Sequence, residues 1–126
     1  MQVKYSTLFK QMLKNFPKAD QLKIRAFETH VRQHGFSGLE GRNKSSADVP
    51  TDDPNWLQKV RQARDNNLWH YHIGIPHYDE SCRYGDKTSK YVLHYIYDHV
   101  EDILTLVYMS PHPPFELPDE SYLELI

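Results

Sequence analysis

The segment at residues 68–78, LWHYHIGIPHY, decides how this chain is interpreted, because it places three histidines within eight residues. Side chains of a β-strand alternate between its two faces. Alternation puts His70 and His72 on one face, and Trp69 and Tyr71 on the other. The large aromatic rings are the better candidates for a core. The sequence therefore predicts a half-buried strand whose two imidazoles lie together on an open, solvent-facing surface.

Three further strands are predicted around this segment. Residues 89–98 (SKYVLHYIYD) and 103–109 (ILTLVYM) follow it and are rich in β-branched and aromatic residues. A polar connection precedes the first of them, and a short turn joins the two. Residues 2–5 alternate polar and apolar side chains, which predicts a short N-terminal strand. The three consecutive strands from residue 68 onward are expected to form an antiparallel meander.

Helical spacing of apolar residues predicts two helices between the first strand and the meander. Ser6 or Thr7 is the expected cap of the first helix, which Pro17 ends, and Gly35 ends the second. A loop is predicted for residues 36–55, and a short third helix is predicted to start at Trp56 and end near Asn66.

The expected fold class is therefore α+β. An N-terminal strand and two to three helices pack on one face of a curved antiparallel sheet, and the other face is open. All 126 residues are expected to form a single domain, in which residues 111–126 are a Pro-rich acidic C-terminal tail.

Composition limits the classes of function. No apolar run approaches the roughly 20 residues that span a bilayer, and the N-terminus lacks the apolar core of a secretory signal. Cys82 is the only cysteine, which excludes an internal disulfide and favours a reducing cytoplasm. Residues 1–47 carry nine Lys and Arg against three acids, whereas residues 48–126 carry six against fourteen. This asymmetry predicts a basic face suited to a polyanion or an acidic partner.

The layout resembles that of the RelE/ParE superfamily of bacterial type II toxins, and within it the YafO branch. The likeness covers most of residues 1–118. It lies in Gly41-Arg42-Asn43 after the helices, His70-Tyr71-His72-Ile73, Val92-Leu93-His94-Tyr95, and the last strand running into Ser110-Pro111-His112-Pro113.

The resemblance implies an mRNA interferase, an endoribonuclease that cuts messenger RNA at the ribosome and is held inactive by a cognate antitoxin protein. It places His70 and His72 where relatives carry paired basic residues, and His112 near the catalytic group at the end of their last strand. The expected partners are the antitoxin, mRNA and the ribosome, with no membrane and no cofactor. Relatives favour Lys and Arg where histidines stand here, and they are usually strongly basic, whereas this chain has a net charge of −2.

The chemistry of histidine agrees with this expectation. RNA cleavage without a metal needs a base for the 2′-hydroxyl, an acid for the leaving 5′-oxygen and a cation beside the phosphate. An imidazole with a pKa near ~6.5 serves as base or acid at neutral pH. The candidate acid–base residues are His70, His72 and His112. The candidate phosphate-binding cations are Arg42, Lys44, Lys87 and Lys90.

Other interpretations of the histidines remain open at this stage. His-x-His on a strand is also half of a common metal site, to which His77, Glu80 or His112 would add a ligand. The same face would also suit a ParE-like, non-enzymatic binding module, or a polar surface without chemistry. His94 alternates with Val92 and Ile96, which predicts a buried histidine with hydrogen-bond partners.

Overall fold

A computed structural model describes residues 1–112, 117, 118 and 120–123. The element order is β1 (Gln2–Tyr5), α1 (Thr7–Leu13), α2 (Lys18–His34), β2 (Asn43–Ser45), α3 (Trp56–Asp65), β3 (Leu68–His72), β4 (Tyr91–Asp98) and β5 (Ile103–Pro111), followed by a 3₁₀ helix at Glu120–Leu123. The rest of the predicted tail, residues 113–116, 119 and 124–126, lies outside the described residues. The α+β class is confirmed.

The sheet has five strands in the order β1-β5-β4-β3-β2. Strands β3, β4 and β5 pair antiparallel as predicted, and β2 also pairs antiparallel with β3. Strand β1, however, pairs parallel with β5, with Val3 opposite Leu104. The prediction of a purely antiparallel sheet is therefore wrong, and the sheet is mixed and open. Strand β2 was missed, because a three-residue edge strand within a loop rich in Gly and Ser carries no periodic signal.

Helices cover both faces of the sheet, which corrects the prediction of one open face. The larger core lies under α1 and α2, where Phe9, Ile24 and Phe27 pack against Tyr71 and Tyr95. A second core on the opposite face joins α3, the sheet and the 3₁₀ helix. Its buried members are Ala63, Leu68, Val107 and Leu123. Val60 and Ala63 of α3 are buried, whereas Trp56 and Leu57 are exposed. Helix α3 packs on the same side of β3 as the histidines.

The helix ends are set largely as the sequence predicts. The Ser6 hydroxyl accepts the amide N–H of Phe9 at 3.2 Å and caps α1. Helix α2 ends at Gly35, whose φ of 62° is a conformation that glycine adopts without steric cost. Helix α1 stops at Leu13, earlier than Pro17 alone required. In the described part of the chain, no helix has the length and apolarity needed to cross a membrane.

A β-bulge interrupts the pairing of β4 with β5. Tyr95 pairs with Leu106 but His94 pairs with Tyr108, so Val107 is an extra residue in β5. Leu106 belongs to the core under α1 and α2, whereas Tyr108 packs against the second core. The bulge thus changes the face on which the end of β5 presents its side chains.

The segment just before strand β2 is tied to β3 by a chain of hydroxyl groups. The amide N–H of Gly41 donates to the Tyr71 hydroxyl at 3.1 Å, and Tyr71 donates to the Tyr78 hydroxyl at 2.8 Å. Tyr78 in turn donates to the carbonyl oxygen of His72 at 2.9 Å. We call this chain the tyrosine clamp. A Cβ at residue 41 would collide with the His72 carbonyl oxygen and the Tyr78 ring, so glycine is required there.

We predict that Gly41→Ala destabilises the fold, because the added methyl group forces β2 away from β3. The expected loss is about 1–3 kcal/mol of unfolding free energy, the usual range for overpacking at a site that cannot relax. Urea denaturation followed by circular dichroism measures it. An unfolding midpoint equal to that of the wild type would show that β2 is not held closely against β3.

Candidate active site

Four histidines lie together on the α3 face of the sheet. His70 and His72 come from β3, His94 from β4, and His112 follows β5. The ring centroids of His72 and His112 are 5.4 Å apart, and those of His70 and His112 are 5.8 Å apart. His94 lies 6.3 Å from His70. We call these four residues the histidine cluster.

The predicted alternation of β3 is confirmed, but the predicted exposure is wrong. Tyr71 is buried under α2 and Trp69 packs partly against the same core, so the aromatic rings and the imidazoles do occupy opposite faces. His70 and His72, however, are only 1% and 4% exposed. The segments around α3 and after β5 cover the face that was expected to be open. The buried position predicted for His94 is confirmed.

A serine residue partners each of the three buried histidines. Ser46 Oγ lies 2.9 Å from Nδ1 of His70, and Ser110 Oγ lies 2.7 Å from Nε2 of His94. Nδ1 of His72 lies 2.9 Å from the carbonyl oxygen of Ser89 and 3.0 Å from its amide nitrogen. Sequence analysis missed these serines, since each is 16 to 24 residues from its partner. Their contacts fix the orientation of the rings.

Burial and mutual repulsion keep the cluster neutral. Burial, followed by the proximity of His94, His112, His72 and Lys44, lowers the pKa of His70 to about 2. Burial also lowers the pKa of His72 to about 4 and that of His94 to about 3. The pKa of His112 is lowered as well, by burial and then by the nearby charges of Lys44 and Arg42. At neutral pH the histidines are therefore uncharged imidazoles.

His72 and His112 face a cleft of about 780 Å³, whereas His70 and His94 lie behind them in the protein. We call this opening the histidine cleft. Its lining includes Arg42, His72, Asp79, Ser89, Lys90 and His112. A volume of this size accommodates a small ligand or about two nucleotides. The structure thus brings four of the seven predicted site residues to one surface: Arg42, His72, Lys90 and His112.

The four predicted cations differ in their availability. Arg42 is 39% exposed and forms an ion pair with Asp86. Lys44 lies opposite His70 in the β2–β3 register and pairs with Asp48 at 3.4 Å.

Lys90 is exposed beside Tyr91. The ammonium of Lys87 is held between Glu40 at 2.9 Å and Glu80 at 2.6 Å, and its side chain is 12% exposed. Lys87 is therefore the weakest of the four candidates for binding phosphate.

The described residues do not support a metal centre at this site. Among them, no group of three or more His, Cys, Asp or Glu side chains is arranged to hold a metal ion.

We predict that the histidine cluster makes the fold sensitive to acid. A histidine whose pKa is lower in the folded state than in the unfolded state contributes full stability above about pH 6.5. That stability is lost as the pH falls toward the folded pKa, because the unfolded chain takes up the proton first. Each such group changes the unfolding free energy by about 1.4 kcal/mol per pH unit in this window.

The test uses His94→Gln, whose amide can reach Ser110 but does not titrate. Between pH 6 and pH 4 its unfolding free energy should fall less steeply than that of the wild type, by about 1.4 kcal/mol per pH unit. His34→Gln, at an exposed position of α2, is the matched control and should keep the wild-type slope. Equal slopes for wild type and His94→Gln would show that His94 does not resist protonation.

Comparison with known proteins adds no family to this description: the chain matches no family model, no curated protein and no solved structure.

Proposed function

We propose that this protein is the toxin of a bacterial type II toxin–antitoxin system and that it acts as a metal-independent endoribonuclease on mRNA bound to the ribosome. The observation that carries the proposal is the pair formed by His72 and His112, two neutral imidazoles 5.4 Å apart in a cleft that also presents Arg42 and Lys90. The resemblance to RelE-like toxins, on the residues described above, supports the biological setting. The cognate antitoxin and a cytoplasmic location belong to the same proposal.

The reaction is an attack of the 2′-hydroxyl oxygen on the adjacent phosphorus. A proton leaves the 2′-hydroxyl, the bond from phosphorus to the 5′-oxygen breaks, and that oxygen takes up a proton. The products are a 2′,3′-cyclic phosphate and a 5′-hydroxyl end. The step needs one base, one acid and positive charge beside the phosphate.

His72 is assigned as the base. When its Nδ1–H donates to the Ser89 carbonyl oxygen, its Nε2 carries the lone pair that accepts a proton. Its pKa of about 4 keeps it unprotonated at neutral pH. The contacts with Ser89 orient the ring. The amide N–H of Ser89 also lies 3.0 Å from Nδ1, and the assigned role uses the tautomer in which Nδ1–H donates to the carbonyl oxygen.

His112 is assigned as the acid, and the substrate itself supplies the reason for its protonation. Burial and the charges of Lys44 and Arg42 keep it neutral in the free protein. A phosphodiester bound beside Arg42 adds a negative charge that offsets those cations and raises the pKa of the nearest imidazole. His112 is less buried than His72, so it receives that proton at the lower cost. His70 stands behind both rings and acts as a positioning residue.

We predict that His72→Asn abolishes cleavage while preserving the fold. The Asn amide occupies the place of Nδ1 and retains the contact with Ser89, but it lacks Nε2. Cleavage of an oligoribonucleotide or of ribosome-bound message should fall by about 10²–10⁴-fold, the range for loss of an acid–base group. Expression of wild-type protein without its antitoxin should arrest growth, and His72→Asn should relieve the arrest. His34→Asn is the matched control.

Two outcomes would contradict this proposal. Full toxicity of the double variant His72→Asn/His112→Asn would show that the imidazoles are not catalytic and would favour a non-enzymatic, ParE-like toxin. Uninterrupted translation in a cell-free extract that contains the wild-type protein would exclude mRNA as the target.

We predict opposite effects for the two partners of the Arg42–Asp86 ion pair. Asp86 accepts from Arg42 at 2.7 and 3.3 Å, so the carboxylate competes with a phosphate for the guanidinium. Asp86→Asn should tighten RNA binding, and Arg42→Gln should weaken it and reduce its dependence on salt. Fluorescence anisotropy with a non-cleavable 2′-deoxy substrate measures both. A change in the same direction for both variants would show that Arg42 does not contact phosphate.

A further inference from the structure

A second cavity adjoins the histidine cleft at the loop that follows β3. It has a volume of about 510 Å³ and lies between α2, residues 38–40 and that loop. We call it the aromatic pocket, because ring side chains form much of its lining: Phe27, His30, Tyr71, His77, Tyr78 and Tyr84. Cavities of this size that are lined mainly by aromatic and apolar side chains, with a few polar groups, are typical binding sites for small ligands.

The aromatic pocket and the histidine cleft meet at His77 and Tyr78, which line both. The Tyr78 hydroxyl also donates to the carbonyl oxygen of His72 at 2.9 Å, so one hydrogen bond connects the wall of the pocket to the residue assigned as the general base. Each nucleotide of a strand carries a base beside its phosphate. A strand whose phosphate lies at His72 and His112 can therefore bring a neighbouring base to the aromatic pocket.

Hydrogen bonds hold the walls of the aromatic pocket in place. Lys23 of α2 donates to the carbonyl oxygens of Gly74 and Pro76 at 2.6 and 2.9 Å, which ties the helix to the loop after β3. The amide N–H of Gly85 donates to the carbonyl oxygen of Glu40 at 2.8 Å. The segments around the opening are thus fixed before a ligand arrives, so little ordering has to accompany binding.

Tyr84 presents an aromatic ring at the rim of the pocket. The residue is 68% exposed, yet its hydroxyl donates to the carbonyl oxygen of Gly38 at 3.2 Å, which restrains the ring. The ammonium of Lys87 lies 5.8 Å from the ring centroid. An exposed ring that is already restrained loses little rotational freedom on binding. It offers a face on which any nucleobase can stack.

The aromatic pocket also offers positive charge. Within the described residues Lys23 forms no ion pair, because the two acceptors of its ammonium group are backbone carbonyl oxygens. Glu40, which also lines the pocket, is paired with Lys87 at 2.9 Å. The charge of Lys23 therefore remains available to an anion. Ring faces combined with positive charge are the two features by which proteins bind single-stranded nucleic acid.

We propose that the aromatic pocket is a second nucleotide subsite, in which Tyr84 stacks on a base next to the cleaved phosphodiester and Lys23 attracts a neighbouring phosphate. This inference rests on the proposed function for the identity of the substrate as RNA. It adds that the strand is held on both sides of His77 and Tyr78. It also adds that the base is bound by stacking, which tolerates all four bases.

The first test measures binding without cleavage. The probe is a uridine trinucleotide in which every sugar is 2′-deoxy, so that no phosphodiester can be cleaved, and two further versions lack either the central or the last base. Wild type should bind one of these abasic versions about 10-fold more weakly than the intact strand, within the range for one base stacked on an aromatic ring. Tyr84→Ala should bind all three strands equally, to within about 3-fold.

Two variants serve as controls for the loss of the ring. Tyr84→Phe retains the ring and removes only the hydrogen bond to Gly38, so it should keep the preference for the intact strand. Trp56→Ala removes an exposed ring of α3 that is not among the residues lining either cavity, and it should keep the preference as well. Circular dichroism establishes that each variant is folded.

The second test measures how binding of the intact strand depends on salt. Lys23→Gln should reduce the slope of log affinity against log salt concentration by about 0.7, the value for one phosphate contact on a single strand. Lys18→Gln changes an exposed lysine at the start of the same helix, and as the matched control it should keep the wild-type slope. An unchanged slope in Lys23→Gln would overturn the role of Lys23.

The outcomes separate this inference from the proposed function. A loss of affinity for an abasic strand that disappears in Tyr84→Ala, without RNA cleavage by wild type, would retain the nucleotide subsite and overturn the nuclease. RNA cleavage by wild type, together with equal binding of the intact and abasic strands, would retain the nuclease and overturn the subsite. A preference for the intact strand that persists in Tyr84→Ala would also overturn the subsite, because other residues would then hold the base.

Discussion

The position of the whole site depends on how the edge strand β2 is held against β3. A three-residue strand has too few ladder hydrogen bonds to fix itself, so side chains must supply the remainder. The tyrosine clamp does this from the core side, and the Tyr95 hydroxyl adds a 2.6 Å hydrogen bond to the Asn43 side chain. Arg42 lies between these two anchors. Its backbone carbonyl accepts from His72 and its amide donates to Lys87, so it enters the cleft from a fixed backbone.

The burial of the imidazoles gives the site its electrostatic character. An imidazole in water titrates near pH 6.5 and would be partly charged under ordinary conditions. Here, two rings from β3, one from β4 and one from the residue after β5 share a low-dielectric region beside Lys44 and Arg42, and their protonation becomes costly. The cluster is thus neutral at neutral pH. In the proposed mechanism, the site becomes protonated only when the phosphate that needs the proton is present.

The sequence was sufficient to predict most of the helices and strands, and to place His70 and His72 together on one face of β3. Alternation in residues 68–72 correctly separated the histidines from the aromatic rings, and helix-ending residues such as Gly35 were informative because their effect is local. The exposure of His70 and His72 was predicted wrongly, because it depends on the face of the sheet against which α3 packs. The apolar residues of an amphipathic helix do not specify which face of a sheet the helix covers. The contacts of Ser46 and Ser110 with the histidines depend on strand pairing and could not be found from spacing.

The extra residue in β5 has a consequence for comparing this chain with others. Strict alternation from Leu106 would place Ser110 and His112 on the side of α2, away from His70 and His72. The bulge at Val107 reverses this alternation, and the contact between Ser110 Oγ and His94 Nε2 is its direct result. An aligned protein that keeps His72 and His112 but has no bulge in its last strand would carry these two histidines on opposite faces of the sheet. Shared chemistry should thus be inferred only where the insertion is shared too.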